Sequence, residues 1–112
     1  MNIQKQVISL ELARKLKKLG VKQESRWYYN VYDAKTTLDI AKDNCGGDER
    51  FYSAFTVAEL GEMLPKDFMS YKRYDKWTCG EHRINKWESA ETEADARARM
   101  LIYLLENGLI KI

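Results

Sequence analysis

Thr92-Glu-Ala-Asp-Ala-Arg-Ala-Arg-Met-Leu-Ile-Tyr-Leu-Leu-Glu-Asn-Gly-Leu109 is the stretch whose reading decides the fold. Thr92 stands where a helix takes its N-cap, and Asp95 puts an acid into the first turn. Glu93 and Arg97, then Asp95 and Arg99, are spaced i,i+4 in the acid-first order that supports a helix. Ala94, Ala98, Leu101 and Leu105 trace one apolar face, widened by Ile102 and Leu104. Gly108 follows where a left-handed residue closes a helix at little cost, with Leu109 placed to reach back to Leu104. The spacing predicts a helix over Glu93 to Asn107, and its broad apolar face needs other elements to cover it.

Two further helices are marked upstream. Leu12, Leu16 and Leu19 share a face over Leu10 to Leu19, with Ser9 expected to supply the N-cap oxygen. Gly20 and Val21 repeat the closing device of Gly108 and Leu109, and Lys15, Lys17 and Lys18 gather at the end of the macrodipole that favours cations. The second helix covers Val57 to Leu64. Thr56 and Glu59 form a capping box, Phe55 and Leu60 a hydrophobic staple, and Pro65 pushes the residue before it out of the helical region. Leu60, Met63 and Leu64 form its apolar stripe.

The segments between are strand-like. Arg26-Trp-Tyr-Tyr-Asn-Val-Tyr32 is dense in aromatic and β-branched residues, and Thr36 to Ala41 follows a turn at Asp33-Ala-Lys35. Asp43 to Arg50, with Gly46-Gly47, reads as a polar loop, and a short run from Phe51 to Phe55 leads into the second helix. Met69 to Trp77 and Arg83 to Trp87 read as a second hairpin, turning at Thr78-Cys-Gly-Glu81. Helices alternating with antiparallel hairpins give a single α+β domain over residues 1–112. It is expected to hold an antiparallel sheet of three to five strands with three helices, in the order α-β-β-α-β-β-α.

The aromatic strand breaks the alternation of a half-buried sheet. Trp27, Tyr29 and Val31 point one way, Tyr28, Asn30 and Tyr32 the other, and both sets are bulky. Helices on both faces, an α/β/α sandwich, would explain this, with Trp27 as the core anchor. An open face would explain it too, with Tyr28 and Tyr32 as a contact surface for a partner or a second copy. The sandwich is the preferred arrangement.

Composition narrows the function classes. The chain has 112 residues, 45% hydrophobic and 32% charged, with nineteen basic and seventeen acidic side chains for a net charge of +2. That balance does not demand a polyanionic partner. The longest run without a charge, Phe51 to Ala58, is far short of the roughly 20 residues of a membrane span. The N-terminus lacks the apolar stretch of a secretory signal, so a cytoplasmic protein with no membrane partner is expected. Two cysteines do not make a disulfide scaffold.

Catalytic and metal motifs are weak. Gly46-Gly47 lacks the flanking residues of a phosphate-binding loop. His82 is the single histidine, three residues from Cys79 and next to Glu81, which invites a thiol–imidazole pair. A hairpin tip is a poor support for such geometry. Cys79-x-x-His82 with Cys45 and Asp48 has ligand-like elements for zinc, but strong zinc signatures repeat such a pair and this one does not. No enzyme activity, cofactor or metal is expected.

The stretch from Lys66 to Trp87 is different. Lys72, Arg73, Lys76, Arg83 and Lys86 are interleaved with Tyr71, Tyr74, Trp77 and Trp87, six positive charges against three negative. Aromatic rings that stack bases beside cations that meet phosphates are the ingredients of single-strand binding. Residues 27–65 and 88–112 are net acidic, so charge is segregated along the chain.

Ile8-Ser-Leu-Glu-Leu-Ala-Arg-Lys-Leu-Lys-Lys-Leu-Gly-Val-Lys-Gln-Glu-Ser25, Phe51-Tyr-Ser-Ala-Phe-Thr-Val-Ala-Glu-Leu-Gly-Glu-Met-Leu-Pro65 and Thr92 to Ile110 resemble short bacteriophage and prophage proteins. The likeness covers about half to two-thirds of the domain. The order of elements is also similar to that of small phage α/β/α sandwich domains. The resemblance implies a bacterial host cytoplasm during infection or lysogeny, and brings with it no activity and no functional residues.

Together these readings predict a small accessory protein that binds a protein partner or a second copy without catalysis. The alternative is weak nucleic-acid binding through the Tyr71–Trp87 region. The candidate binding residues are Lys72, Arg73, Tyr74, Lys76, Trp77, Arg83 and Trp87, with Tyr28 and Tyr32.

Overall fold

The chain runs through a 3-10 turn (Ile3–Lys5), α1 (Leu10–Lys18), β1 (Trp27–Tyr32), β2 (Lys35–Ile40), β3 (Phe51–Ser53), α2 (Val57–Met63), β4 (Met69–Arg73), β5 (Lys76–Glu81), β6 (Lys86–Ala90) and α3 (Glu93–Glu106). The computed structural model describes residues 3–32, 35–40, 50–81 and 85–110, apart from the side chains of Gln4 and Tyr32. The fold is α+β, in the order read from the sequence, with a third strand in each hairpin region. The strands form two three-stranded antiparallel sheets, β2-β1-β3 and β4-β5-β6, rather than one.

The three helices form for the reasons their sequences supply. Thr56 Oγ1 accepts from the Glu59 N–H at 3.2 Å and Glu59 Oε1 accepts from the Thr56 N–H at 2.9 Å, so the capping box is complete. Phe55 and Leu60 are buried beside it, and Leu64, before Pro65, leaves the helix in an extended conformation. Gly20 and Gly108 both adopt positive φ. In each case the next residue's N–H returns to a carbonyl of the last turn, Val21 to Leu16 at 3.1 Å and Leu109 to Leu104 at 2.9 Å. These are two Schellman closures.

Ser9 is the N-cap of α1, but its side chain makes no capping bond. Instead its N–H donates to Asp95 Oδ1 at 2.8 Å, a carboxylate brought in from α3.

α3 is buried more widely than one stripe. Ala94, Ala96, Ala98, Met100, Leu101, Ile102 and Leu104 are all buried, because α1 and α2 pack on it as well as β4, β5 and β6. Three alanines in its first half let these neighbours approach closely. Leu16, Phe55, Leu60 and Cys79 complete the core around it.

Arg97 fastens this centre. Its Nη1 donates to the Val57 carbonyl at the start of α2 at 3.0 Å, its Nε to Ser70 Oγ in β4 at 3.1 Å, and its Nη2 pairs with Glu93 at 3.2 Å. The Ser70 hydroxyl donates to Glu93 in turn. Gly61 leaves the room, since a Cβ there would overlap Nη1.

Several sequence expectations are corrected. Thr78-Cys-Gly-Glu81 is not a turn but lies in the middle strand of the second sheet. The turn falls earlier, at Tyr74-Asp75, between the paired residues Arg73 and Lys76. Tyr74 takes a positive φ there, which a two-residue hairpin loop requires and an aromatic side chain does not advertise. The sandwich also does not form. α1 packs on β3 of the first sheet as well as on α3, while α3 covers one face of the second sheet and its other face carries exposed side chains.

Tyr28 is not a surface residue. It is 5% exposed, its ring meets Phe51 edge-on, and its hydroxyl donates to the Gln23 carbonyl at 2.7 Å. The buried Gln23 amide then bonds the Val21 carbonyl and the Ser53 N–H, sealing this face of the first sheet with the connector after α1. Trp27, expected to anchor the core, is only half-buried.

Candidate functional site

Pairing in the second sheet sorts its side chains. Residues directly opposite share a face and neighbours along a strand alternate. Cys79 lies in the core, so Trp77, Glu81, Ser70, Lys72, Lys86, Glu88 and Ala90 share the face of α3. The opposite face carries Met69, Tyr71 and Arg73 from β4, Lys76, Thr78 and Gly80 from β5, and Trp87 and Ser89 from β6.

This second set forms an open surface. Tyr71 is 41% exposed and Met69 50%, while Arg73, Lys76 and Ser89 are exposed beside them. Trp87 lies across Gly80: a Cβ at that glycine would stand 2.6 Å from the indole Cδ2 and closer still to Cε3 and the Lys86 carbonyl oxygen. The glycine read as a turn residue is therefore the seat of an indole, the close approach that glycine permits in a strand. Tyr71 meets Trp87 edge-to-face, with centroids 5.9 Å apart and planes at 70°. The hydroxyls of Thr78 and Ser89 are 3.1 Å apart in the solvent-facing layer between strands.

Among the paired positions the open face carries the charged residues Arg73 and Lys76, and the α3 face carries Lys72, Lys86, Glu81 and Glu88. The hairpin tip adds Tyr74, 87% exposed with the Arg73 guanidinium over its ring at 5.6 Å. Asp75 in the turn and Glu91 just past β6 stand at this end as well, against Lys72, Arg73 and Lys76.

Of the candidate residues, the structure places Arg73, Lys76 and Trp87 on one face, with the two cations at the hairpin end beside Tyr74, and Trp87 at the other end. Lys72 and Trp77 point to the other face, where they border a groove of about 640 Å³ with Lys5, Asp75, Lys76 and Glu93. Tyr28 is buried in the first sheet, and Arg83 and the Tyr32 side chain lie outside the described residues. Tyr71, Thr78, Gly80 and Ser89 are the members that sequence reasoning did not single out. Placing the turn at Tyr74-Asp75 would have found them, because it sets the register.

Acid–base chemistry finds no centre among the described residues. Burial pushes the Cys79 thiol up to about 11, with Arg97 opposing and Glu93 adding to the shift. Burial raises Asp95 against the pull of the Ser9 N–H and of Arg99, and raises Tyr29, whose hydroxyl donates to the Ile8 carbonyl at 2.6 Å. Each of the three groups serves packing between elements. Cys79, half of the zinc idea, is buried in the core, and its would-be companions Cys45, Asp48 and His82 lie outside the described residues. No cluster of three metal-ligating side chains occurs among the described residues. Nor, among them, is any helix long and apolar enough to cross a membrane.

No family model, curated protein or solved structure matches the chain.

Proposed function

We propose that this is a small accessory protein of phage type that acts in a bacterial cytoplasm without catalysis, by binding another macromolecule through the open face of β4-β5-β6. The observation that carries the binding reading is the seating of Trp87 over Gly80 beside the exposed Tyr71. With Met69 half exposed on the same face, Tyr71 forms an apolar and aromatic patch that faces solvent, and such a patch favours contact with a partner. The phage setting rests on the likeness of residues 8–25, 51–65 and 92–110 to short phage and prophage proteins. The buried thiol and the structural roles of Asp95 and Tyr29 favour binding over catalysis.

Capture from a bacterial lysate tests the surface. Wild-type protein and a Tyr71→Ser/Arg73→Glu variant are immobilised, and the retained protein and nucleic acid are compared. The wild type is expected to retain a component that the variant loses. Identical retention by both would remove the open face as the binding surface.

A further inference from the structure

We infer that the macromolecule taken by this surface is a second copy of the chain, paired with it along the outer edge of β4; the inference rests on the binding role proposed for the face. β4 of one copy runs antiparallel to β4 of the other, about a two-fold axis at Tyr71. β4 is an outer strand in the order β4-β5-β6, and no other described strand pairs on its far side. Arg73 and Lys76 stand opposite each other across the two-residue loop, so they exchange both backbone hydrogen bonds. Alternation then turns the backbone groups of Met69, Tyr71 and Arg73 toward β5 and those of Ser70 and Lys72 outward. Such an edge is a template for another strand. Met69, 50% exposed, and Tyr71, 41% exposed, alternate along it.

The strand is complementary to itself in this register. An axis at Tyr71 pairs all five residues of β4. Ser70 meets Lys72 of the other copy at both outward-bonding positions, each pair exchanging its backbone hydrogen bonds. Tyr71 meets its own equivalent and Met69 meets Arg73, at the positions where cross-strand side chains stand closest. An axis at Lys72 would set that lysine against itself, and an axis at Ser70 would leave Lys72 and Arg73 beyond the paired strand.

Charge favours the same register. A lysine on an edge strand commonly keeps other strands away, and Lys72 is exposed with no ion pair among the described residues. The register gives it a carboxylate. Opposite Lys72 stands Ser70 of the second copy, whose hydroxyl donates to Glu93 on the same face. Glu93 uses Oε2 for both Ser70 and Arg97, which leaves Oε1 to receive the lysine across the axis. The two-fold makes this ion pair twice. A peptide of other sequence would need its own acid for Lys72 and its own ring for Tyr71, and a second copy carries both at the required spacing. A contact of one short strand from each copy falls in the class below about 1,200 Å², where complexes are weak and transient.

Sedimentation velocity on the full chain over a concentration series tests the inference. The wild type should pass from monomer to dimer in the micromolar range. Lys72→Pro removes an outward N–H and none from the β4–β5 ladder. It should leave the circular dichroism unchanged and weaken the dimer by at least about tenfold. In a Cys45→Ser background, Tyr71→Cys should cross-link to a dimer in air, because facing Cα atoms at the axis are about 4.5 Å apart. Arg73→Cys should not, since its equivalent lies about 13 Å away along the strand.

A chain that is monomeric at every concentration, with lysate capture still dependent on Tyr71, would overturn the second copy and leave the surface standing. A dimer undiminished in Lys72→Pro, or cross-linked through Arg73→Cys and not Tyr71→Cys, would overturn the β4 edge. If Lys72→Pro unfolds, the two cysteine variants decide alone. Absence of a dimer together with identical lysate retention by wild type and variant would overturn both this pairing and the binding role of the face.

Discussion

The backbone N–H of Ser9 donates to Oδ1 of Asp95 across 86 positions of sequence. Asp95 sits in the first turn of α3, where its own N–H is held by Thr92 Oγ1 at 3.1 Å. One residue thus links the starts of two helices, holding the backbone of Ser9, whose hydroxyl makes no capping bond.

Asp95 sets a pH dependence of known sign. Burial raises its carboxyl above the ordinary aspartate value, with Glu11 adding to the shift and Ser9 and Arg99 opposing it. The folded chain therefore keeps this proton where the unfolded chain has released it. The stabilisation is present below the unfolded value and is lost as pH rises through the folded one. Asp95→Asn keeps an acceptor for the Ser9 N–H and removes the titration. Its stability relative to wild type should increase with pH across the carboxylate range and then level off. Chemical denaturation at a series of pH values checks this, and a difference that falls with pH would refute it.

Arg97 serves three elements at once, so its loss should be felt globally. Arg97→Ala is expected to cost about 2–3 kcal/mol in urea denaturation, since Glu93 is left with an uncompensated charge. Arg97→Lys should recover less than half, because an ammonium lacks the planar fork that reaches Val57, Ser70 and Glu93 together. Full rescue by lysine would mean that charge alone matters at this position.

Cys79 should be chemically silent in the folded state. With its thiol pushed up to about 11 by burial, it holds no thiolate near neutrality. In a Cys45→Ser background, a thiol reagent at neutral pH should label Cys79 only on unfolding. Its contribution to stability should also fall as pH climbs from the usual thiol range toward 11. Rapid labelling of the native protein would contradict the burial.

Tyr28 should behave as core. Tyr28→Phe is expected to cost about 1 kcal/mol by leaving the Gln23 carbonyl without its hydroxyl donor. Tyr28→Lys should unfold the first sheet, visible by circular dichroism, rather than alter any association. A folded Tyr28→Lys variant would restore this position as a surface candidate.

The helices were legible almost to the residue, because their ends are written in short-range chemistry: a capping box, a proline stop and two glycines at positive φ. The first hairpin was legible for a similar reason, its aromatic and β-branched density. The second was misread at Gly80 and Tyr74. Glycine ordinarily marks a turn, but here it accommodates Trp87 from the adjacent strand, a constraint seven positions away that local patterning does not carry. An aromatic residue at positive φ gives no turn signal at all. The candidate surface was therefore visible as a composition, basic and aromatic, but not as a face. Which residues share that face depends on a register fixed by a turn the sequence does not announce. The burial of Tyr28 was hidden too, since it depends on Gln23 in a connector with no apolar pattern.

The position of α3 in the chain has a consequence for how the protein comes into being. Translation delivers this helix after every element that packs on it. Until residues 93–106 have left the ribosome, α1, α2 and the second sheet lack the helix on which all of them pack. The nascent chain must hold the apolar stripes that face α3 exposed until that helix emerges. A protein arranged in this way is born open.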